Sequence, residues 1–130
     1  MVYILSASAM EEMSTQTRID GTAVRSALRE LDRKLPARFG RKYLRLILFG
    51  SRARGDNDPD SDVDVAVILR GRITDRWSAK RVIIQETYPI LLETGLYIQA
   101  WPLEEGELDN PDKSSNPALL RNVLRDGITP

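Results

Sequence analysis

The sequence predicts a small α/β (α+β) protein in which a mixed β-sheet is flanked by helices. The length of 130 residues suits one domain, and 42% of the residues are hydrophobic, which is ordinary for a globular chain. Apolar residues recur at helical spacing in some segments and form short strand-like runs in others. In chain order these segments read helix, strand, strand, helix, strand, helix, which favours helices packed on a sheet.

The domain is predicted to span residues 21–130, preceded by an N-terminal extension, residues 1–20, that could be flexible. The extension has a short apolar run followed by small and polar residues, without the basic leader and long apolar segment of a signal peptide. No run reaches the roughly 18 apolar residues of a membrane span. We therefore expect a cytoplasmic protein that does not contact a membrane.

The first half of the domain is predicted to contain a helix over 22–35, stopped by Pro36, and then a buried strand over Tyr43–Phe49. The helix has four leucine or valine side chains on one face: Val24, Leu28, Leu31 and Leu35. Gly50 bounds the strand, and residues 51–54 are expected to form one helical turn.

A turn over 56–61 leads to a second strand, predicted over 62–69. Side chains alternate between the two faces of a strand. One face is therefore expected to present Val63, Val65, Val67 and Leu69, and the other Asp62, Asp64, Ala66 and Ile68.

The second half is predicted to contain a helix over 74–94, capped by Thr74 and closed by Gly95, with Pro89 kinking it or splitting it in two. Its apolar side is expected to comprise Trp77, Val82, Ile83, Tyr88 and Leu91 or Leu92. A third strand is predicted over 96–101, followed by an acidic loop over 104–115. A last short helix is predicted between Asn116, its N-cap, and Gly127, which stops it, with Pro117 at its first position. Its buried side is expected to comprise Leu120, Val123 and Leu124.

The composition excludes several kinds of chemistry. The chain has no Cys and no His, so it has no disulfide, thiolate nucleophile, Ser-His-Asp triad or zinc site of the usual ligands. Any reaction must use carboxylates, Arg or Lys, hydroxyls, backbone amides, or a metal held by oxygen.

A candidate phosphate site follows the first strand. Gly50 permits a tight turn and close approach to a ligand. Ser51 opens the helical turn, where backbone amides and a hydroxyl favour a phosphate. Arg52 and Arg54 add positive charge that can pair with phosphate oxygens.

A candidate metal site begins the second strand. Asp62 and Asp64 are two residues apart and leave the same face of a strand. Two such carboxylates repel unless a cation lies between them, and Mg²⁺ would satisfy both while bridging to phosphate oxygens. The two halves together predict a metal-assisted transfer of a nucleotide.

Other interpretations account for parts of this region. The spacing of Asp56, Asp58 and Asp60 suggests an EF-hand, but Ser61 replaces its glycine and Val67 its bidentate glutamate, so we reject it. The alternative to a metal site is a purely structural one, in which an acidic turn is followed by Asp62 and Asp64 facing solvent on an edge strand. The basic block at 25–54, with ten Lys or Arg against two acids, could be a solvated helix face or could contact an anion; direct nucleic-acid binding is not favoured because no recognised motif accompanies it.

Gly50-Ser51-Arg52-Ala53-Arg54-Gly55 followed by Ser61-Asp62-Val63-Asp64 resembles the signature of minimal nucleotidyltransferase (MNT) domains of the DNA polymerase β superfamily. The combined motif is highly specific, and the match in element order covers about residues 22–127. The resemblance implies a nucleotidyltransferase fold. It implies a triphosphate, with ATP expected, at the Gly-Ser step and Mg²⁺ on the two aspartates. It also implies a role as an antitoxin paired with a helical HEPN toxin, since many such bacterial domains have that role.

The sequence departs from the family at one position. Catalytic members carry a third carboxylate on the later strand, where this chain presents Tyr97 and Gln99. Gln99 can form hydrogen bonds but cannot accept a proton at neutral pH, and Glu93 and Glu104 lie just outside the strand. Tyr97 and Trp101 could stack on a base, although aromatic residues in strands more often belong to the core.

Two functions remain open. The first is an enzyme that transfers a nucleotide, AMP from ATP, to a hydroxyl of a protein or small molecule, with catalytic Asp62 and Asp64 holding Mg²⁺. The second is a weak or inactive nucleotide-binding antitoxin that acts by binding a helical toxin. The intact motifs favour the first, and the missing carboxylate favours the second.

Overall fold

A computed structural model of the protein describes residues 21–130 and shows a three-stranded sheet with strand order β1-β2-β3. The strands are β1 (Tyr43–Phe49), β2 (Val63–Leu69) and β3 (Ile98–Glu104). β1 pairs antiparallel with β2, and β2 pairs parallel with β3. The mixed sheet predicted from the sequence is confirmed. The predicted extension over 1–20 lies outside the described residues.

In the described part of the chain four α-helices accompany the sheet: α1 (Gly21–Phe39), α2 (Ser51–Arg54), α3 (Arg76–Thr94) and α4 (Pro117–Asp126). Side chains of α1 and α3 form the main core with one face of the sheet, and α4 packs on the other face. The predicted element order is confirmed. Within residues 21–130, no helix combines the length and the apolar character needed to cross a membrane.

β2 is the central strand and is buried on both faces. Val63, Val65 and Val67 belong to the core formed with α1 and α3, whereas Ala66 and Ile68 lie under α4. Asp64 alternates with the valines and therefore shares the α4 face of the sheet. Asp62 directly precedes β2, so the strand begins one residue later than predicted.

The prediction that Pro36 stops the first helix is wrong, because α1 continues to Phe39. Leu35 is fully buried, and Phe39 packs against the same core one turn later. Burial of Phe39 therefore stabilises a last turn that proline would otherwise disfavour.

α3 is one helix, with Pro89 inside it. Its N-cap is Asp75 rather than Thr74, because Asp75 Oδ1 accepts a hydrogen bond from the Ser78 amide at 3.1 Å. Its buried face consists of Ala79, Ile83, Thr87 and Ile90, so the prediction is confirmed for Ile83. Three of the predicted core residues are mostly exposed: Trp77, Tyr88 and Leu92.

The third strand lies further along the chain than predicted, because it begins at Ile98 and continues through Pro102 to Glu104. Pro102 is tolerated because β3 is an edge strand of the described sheet. α4 has the predicted frame: Asn116 Oδ1 accepts from the Leu119 amide at 3.3 Å, and Gly127 follows the helix. Leu120 and Val123 are buried, but Leu124 is half-exposed and was wrongly predicted to lie inside.

Candidate active site

The predicted phosphate and metal residues meet at one end of the sheet. Asp64 lies opposite Phe49 in the antiparallel register, and Gly50 follows Phe49 directly. A Cβ atom on Gly50 would lie 2.5 Å from Asp64 Oδ2, so the backbone of the turn contacts this carboxylate. The structure therefore brings together two motifs that are separated by the whole 55–61 turn.

Gly50 reverses the chain between β1 and α2. Its φ of 77° lies in the left-handed region that favours glycine, and its ψ is −158°. The amides of Ala53 and Arg54 both donate to the Gly50 carbonyl at 3.1 Å, which closes the turn. Ser51 is thereby placed at the start of α2 and is partly exposed.

Arg52, in α2, forms hydrogen bonds with the turn that precedes Asp62. Its Nε donates to the Ser61 carbonyl at 3.1 Å, and its Nη2 donates to the Pro59 carbonyl at 3.2 Å. These bonds fix the turn that leads into Asp62. Contact between Arg52 and a phosphate stays a prediction.

Arg54 forms ion pairs with two carboxylates, Asp56 Oδ2 at 3.0 Å and Asp126 Oδ2 at 2.8 Å. Only 4% of the Asp126 side chain is exposed, and Arg125 also contacts it, at 2.9 Å. Hydrogen bonds from Arg125 and Arg54 lower the pKa of Asp126 to about 2. Arg54 therefore anchors α2 to the end of α4, while its predicted phosphate contact remains untested.

Sequence reasoning missed Asp126. It lies 72 residues from Arg54, and an acidic residue at the end of a helix resembles any solvated one. No local pattern could have identified this pair.

The negative charges of Asp62 and Asp64 repel each other. Burial raises the pKa of Asp64, the neighbouring Asp62 carboxylate raises it further, and the charge of Arg54 opposes both effects. Asp62 itself is exposed. A cation bound between two like charges would relieve their repulsion.

The donor set fits a magnesium ion that shares its ligands with a nucleotide. Mg²⁺ is often held by one or two carboxylates together with substrate phosphates and water. Among residues 21–130 there is no cluster of three or more acidic side chains that could hold a metal alone. Asp62 and Asp64 would thus need phosphate oxygens to complete the coordination.

Gln99 lies beside Asp64 in the parallel register of β2 and β3. Glu104 lies at the other end of β3, opposite Leu69, and its Oε2 accepts from the Ile73 amide at 2.8 Å. Glu104 therefore cannot replace a carboxylate at position 99. Glu93 lies in the exposed last turn of α3.

Asp56, Asp58 and Asp60 lie in the turn between α2 and β2. Asp56 pairs with Arg54, and the Asp58 amide donates to Ser61 Oγ at 2.8 Å. The Ser61 amide donates back to the Asp58 carbonyl at 3.1 Å. The contacts of Asp56 and Asp58 thus stabilise the turn that leads into Asp62.

Comparison with known proteins gives a family match across this site. The profile of the family described as "Nucleotidyltransferase domain" matches residues 25–112. This range includes β1, α2 and β2, and hence both motifs of the site.

Two relatives come from Methanocaldococcus jannaschii. "Putative protein adenylyltransferase MJ0604" is 33% identical over 101 residues, which are 78% of this chain and 91% of that protein. "Putative protein adenylyltransferase MJ0141" is 43% identical over 49 residues, which are 38% of this chain and 50% of that protein. A solved structure titled as a "putative nucleotidyltransferase from Sulfolobus solfataricus" aligns with a TM-score of 0.49 and 19% identity, covering 96% of this chain and 87% of that one.

Proposed function

The chain belongs to the nucleotidyltransferase domain family, and from this premise we propose that it transfers AMP from ATP to a hydroxyl group of a protein or small molecule, with Mg²⁺ as cofactor. The observation that carries the proposal is the contact between the Gly50 turn and Asp64, which brings the candidate phosphate residues next to the candidate metal residues. The names of the two relatives support the adenylyl group and a protein acceptor. Residues 21–130 would act as a single catalytic domain in the cytoplasm.

The reaction forms a bond between the acceptor oxygen and the α-phosphorus and breaks the bond to the β-phosphate, so pyrophosphate leaves. Ser51 would donate to the triphosphate from the start of α2, and Gly50 lets the phosphates approach the backbone. Asp62 and Asp64 would hold Mg²⁺, which when bound neutralises phosphate charge and orients the displacement. Arg52 keeps Asp62 in place through the Pro59 and Ser61 carbonyls.

The proton of the acceptor hydroxyl has no carboxylate to receive it at Gln99. The Gln99 amide can accept or donate a hydrogen bond and so orient the hydroxyl, but it cannot act as a base. The proton would pass to water or to a group that the acceptor brings. General-base catalysis contributes about 10²–10⁴-fold, so transfer to a simple alcohol should be slow.

A second candidate function is a weak transferase that acts by binding its partner. Gln99 favours it, and so does an exposed apolar stripe on α3 formed by Ile84, Tyr88 and Leu92, which are 46%, 56% and 69% exposed. These positions recur on one side of the helix, as in surfaces that pack against another helix. The partner we propose is a helical HEPN-type toxin.

The deciding experiment incubates the protein with α-labelled ATP, Mg²⁺ and a HEPN-type partner, and follows label on the partner. Asp62→Asn and Asp64→Asn should abolish transfer, whereas Asp109→Asn, an exposed acid outside the site, should not. Partner binding without transfer of label from any nucleoside triphosphate would refute the enzyme and leave the binding function. Transfer that persists in both site variants would refute the roles of the aspartates.

A further inference from the structure

We propose that the base of the donor nucleotide binds in a cavity between α3, β3 and the start of α4, a proposal that rests on the proposed function. This cavity, here the tryptophan cavity, has a volume of about 290 Å³, and its walls include Trp77, Lys80, Trp101, Asn116 and Leu119. It lies outside both sequence motifs, and its walls come from segments that are distant in the sequence.

Strand β3 connects the tryptophan cavity to the candidate active site. Gln99 and Trp101 are two residues apart on β3 and therefore lie on one face of the sheet, the face that Asp64 shares. Gln99 pairs with Asp64, and Trp101 pairs with Ala66. Two residues of strand span about 7 Å. A nucleotide places its sugar between phosphates and base, so with phosphates at Asp64 a base that extends along β3 would reach Trp101.

The walls suit a flat aromatic ring. Trp77 is 69% exposed and Trp101 is partly buried, so both indoles are accessible to a ligand. Leu119 adds an apolar side chain. Aromatic side chains bind bases by stacking because every base has a π-face. Lys80 Nζ lies 4.1 Å from the centroid of the Trp101 ring and adds positive charge to the cavity wall.

The wall around Arg76 is held by hydrogen bonds. Arg76 Nη1 donates to the Pro102 carbonyl at 3.0 Å, and Arg76 also pairs with Glu107. The Ser114 hydroxyl donates to Glu107 Oε2 at 3.2 Å. These contacts connect α3, β3 and the segment before α4, so the cavity is formed before a ligand arrives.

The volume indicates which part of the nucleotide fits. Pockets for small ligands begin at about 300 Å³, so this cavity is near the lower limit. It is suited to one heterocycle with the phosphates outside. This agrees with a triphosphate held at Gly50 and Ser51 rather than inside the cavity.

Tryptophan fluorescence tests the proposal directly, because Trp77 and Trp101 are the two tryptophans of the chain and both line this cavity. With Mg²⁺ present, ATP should change the emission and inorganic tripolyphosphate should not. In equilibrium dialysis with labelled ATP, Trp77→Ala and Trp101→Leu should each weaken binding at least about fivefold, since stacking contributes 1 kcal/mol or more per base. Leu124→Ala, which removes a half-exposed apolar side chain from α4 outside the cavity, should leave affinity unchanged.

Three results would overturn the proposal. The first is ATP binding in dialysis with no change in emission. The second is unchanged ATP affinity in both tryptophan variants, with circular dichroism showing that they are folded. The third is an emission change caused by the protein acceptor and not by ATP, which would assign the cavity to the acceptor. Each leaves the proposed function standing, whereas the absence of both ATP binding and transfer would refute that function itself.

Discussion

Gly50 excludes a side chain for two separate reasons at the scale of a single residue. Its φ of 77° is left-handed, and Asp64 Oδ2 occupies the space that a Cβ would need. Gly71 has a similar φ of 73° but nothing within 4 Å of its Cβ position. A substitution at Gly71 therefore tests the cost of the left-handed backbone alone, whereas one at Gly50 also tests the contact with Asp64.

We predict that Gly71→Ala lowers the free energy of unfolding by about 1–2 kcal/mol, the cost of a left-handed L-residue. Gly50→Ala should lower it further, because its Cβ must also displace Asp64, and should abolish nucleotide transfer. Urea denaturation and the label-transfer assay measure both effects. Equal losses of stability in the two variants would show that the Asp64 contact does not matter.

Asp64 is expected to destabilise the fold when it is ionised. Its pKa is raised by burial and by Asp62, so the folded state favours the protonated form. The contribution of Asp64 to the free energy of unfolding is fully present below its pKa in the unfolded chain, about 3.8. This contribution is lost as the pH rises through the raised pKa of Asp64 in the folded protein. The loss then persists to neutral pH.

Asp64→Asn should therefore raise the melting temperature at pH 7 in a chelator, and the difference from the native protein should vanish in acid. Mg²⁺ with ATP should raise the melting temperature of the native protein but not of the variant, because a ligand stabilises the state that binds it. Melting curves from about pH 3 to 7 provide the measurement. A variant that melts below the native protein in chelator would contradict the electrostatic argument.

At the scale of elements, two prolines lie inside helices, and both are exposed. An exposed proline removes one amide, but the freed carbonyl four residues earlier can tilt towards water. In α3 that carbonyl belongs to Gln85, an exposed residue. Ile83 and Ile90 are fully buried on either side of the break, so packing keeps α3 continuous.

Pro89→Ala should restore the missing hydrogen bond and raise the free energy of unfolding by about 1–3 kcal/mol. Pro111→Ala is the matched control, because Pro111 begins a short 3₁₀ turn where no amide is required, and it should give no gain. Both are measured by urea denaturation. A less stable Pro89→Ala protein would show that a bend in α3 is needed for the packing of Ile90.

For the whole molecule, the C-terminal segment contacts two elements next to the candidate site, α2 and β1. Asp126 pairs with Arg54, and two residues later Ile128 forms a β-bridge with Leu48, with N···O distances of 2.9 and 2.8 Å. These contacts join the end of the chain to β1 and α2. The position of α2, which follows Gly50, therefore depends on residues that are remote in sequence.

Asp126→Asn should lower the melting temperature at neutral pH. The lowered pKa of Asp126 contributes stability that is present above the unfolded pKa of about 3.8 and is lost as the pH falls through about 2. The native and variant proteins should therefore converge in melting temperature towards pH 2. Asp112→Asn is the control, because Asp112 is 84% exposed and pairs with Arg121 on the surface. A variant as stable as this control at pH 7 would refute the anchoring role.

The sequence by itself determined the element order, the alternation along β2 and the residues of the two motifs. Strand alternation and glycine geometry are local properties, so Val63, Val65, Gly50 and Asp64 could be interpreted without knowledge of the fold. The same locality explains the errors. Whether Pro36 ends α1 depends on the burial of Phe39, and the apolar residues on both sides of α3 do not indicate which side faces the sheet.

Only the tertiary structure decided how the site is assembled. It placed Gln99 beside Asp64, paired Arg54 with Asp126, and gathered Trp77 and Trp101 around one cavity. These relations join residues that are 24 to 72 positions apart, and they depend on strand register and helix packing. Local propensity fixes which elements form, whereas burial of their apolar faces fixes which side chains meet.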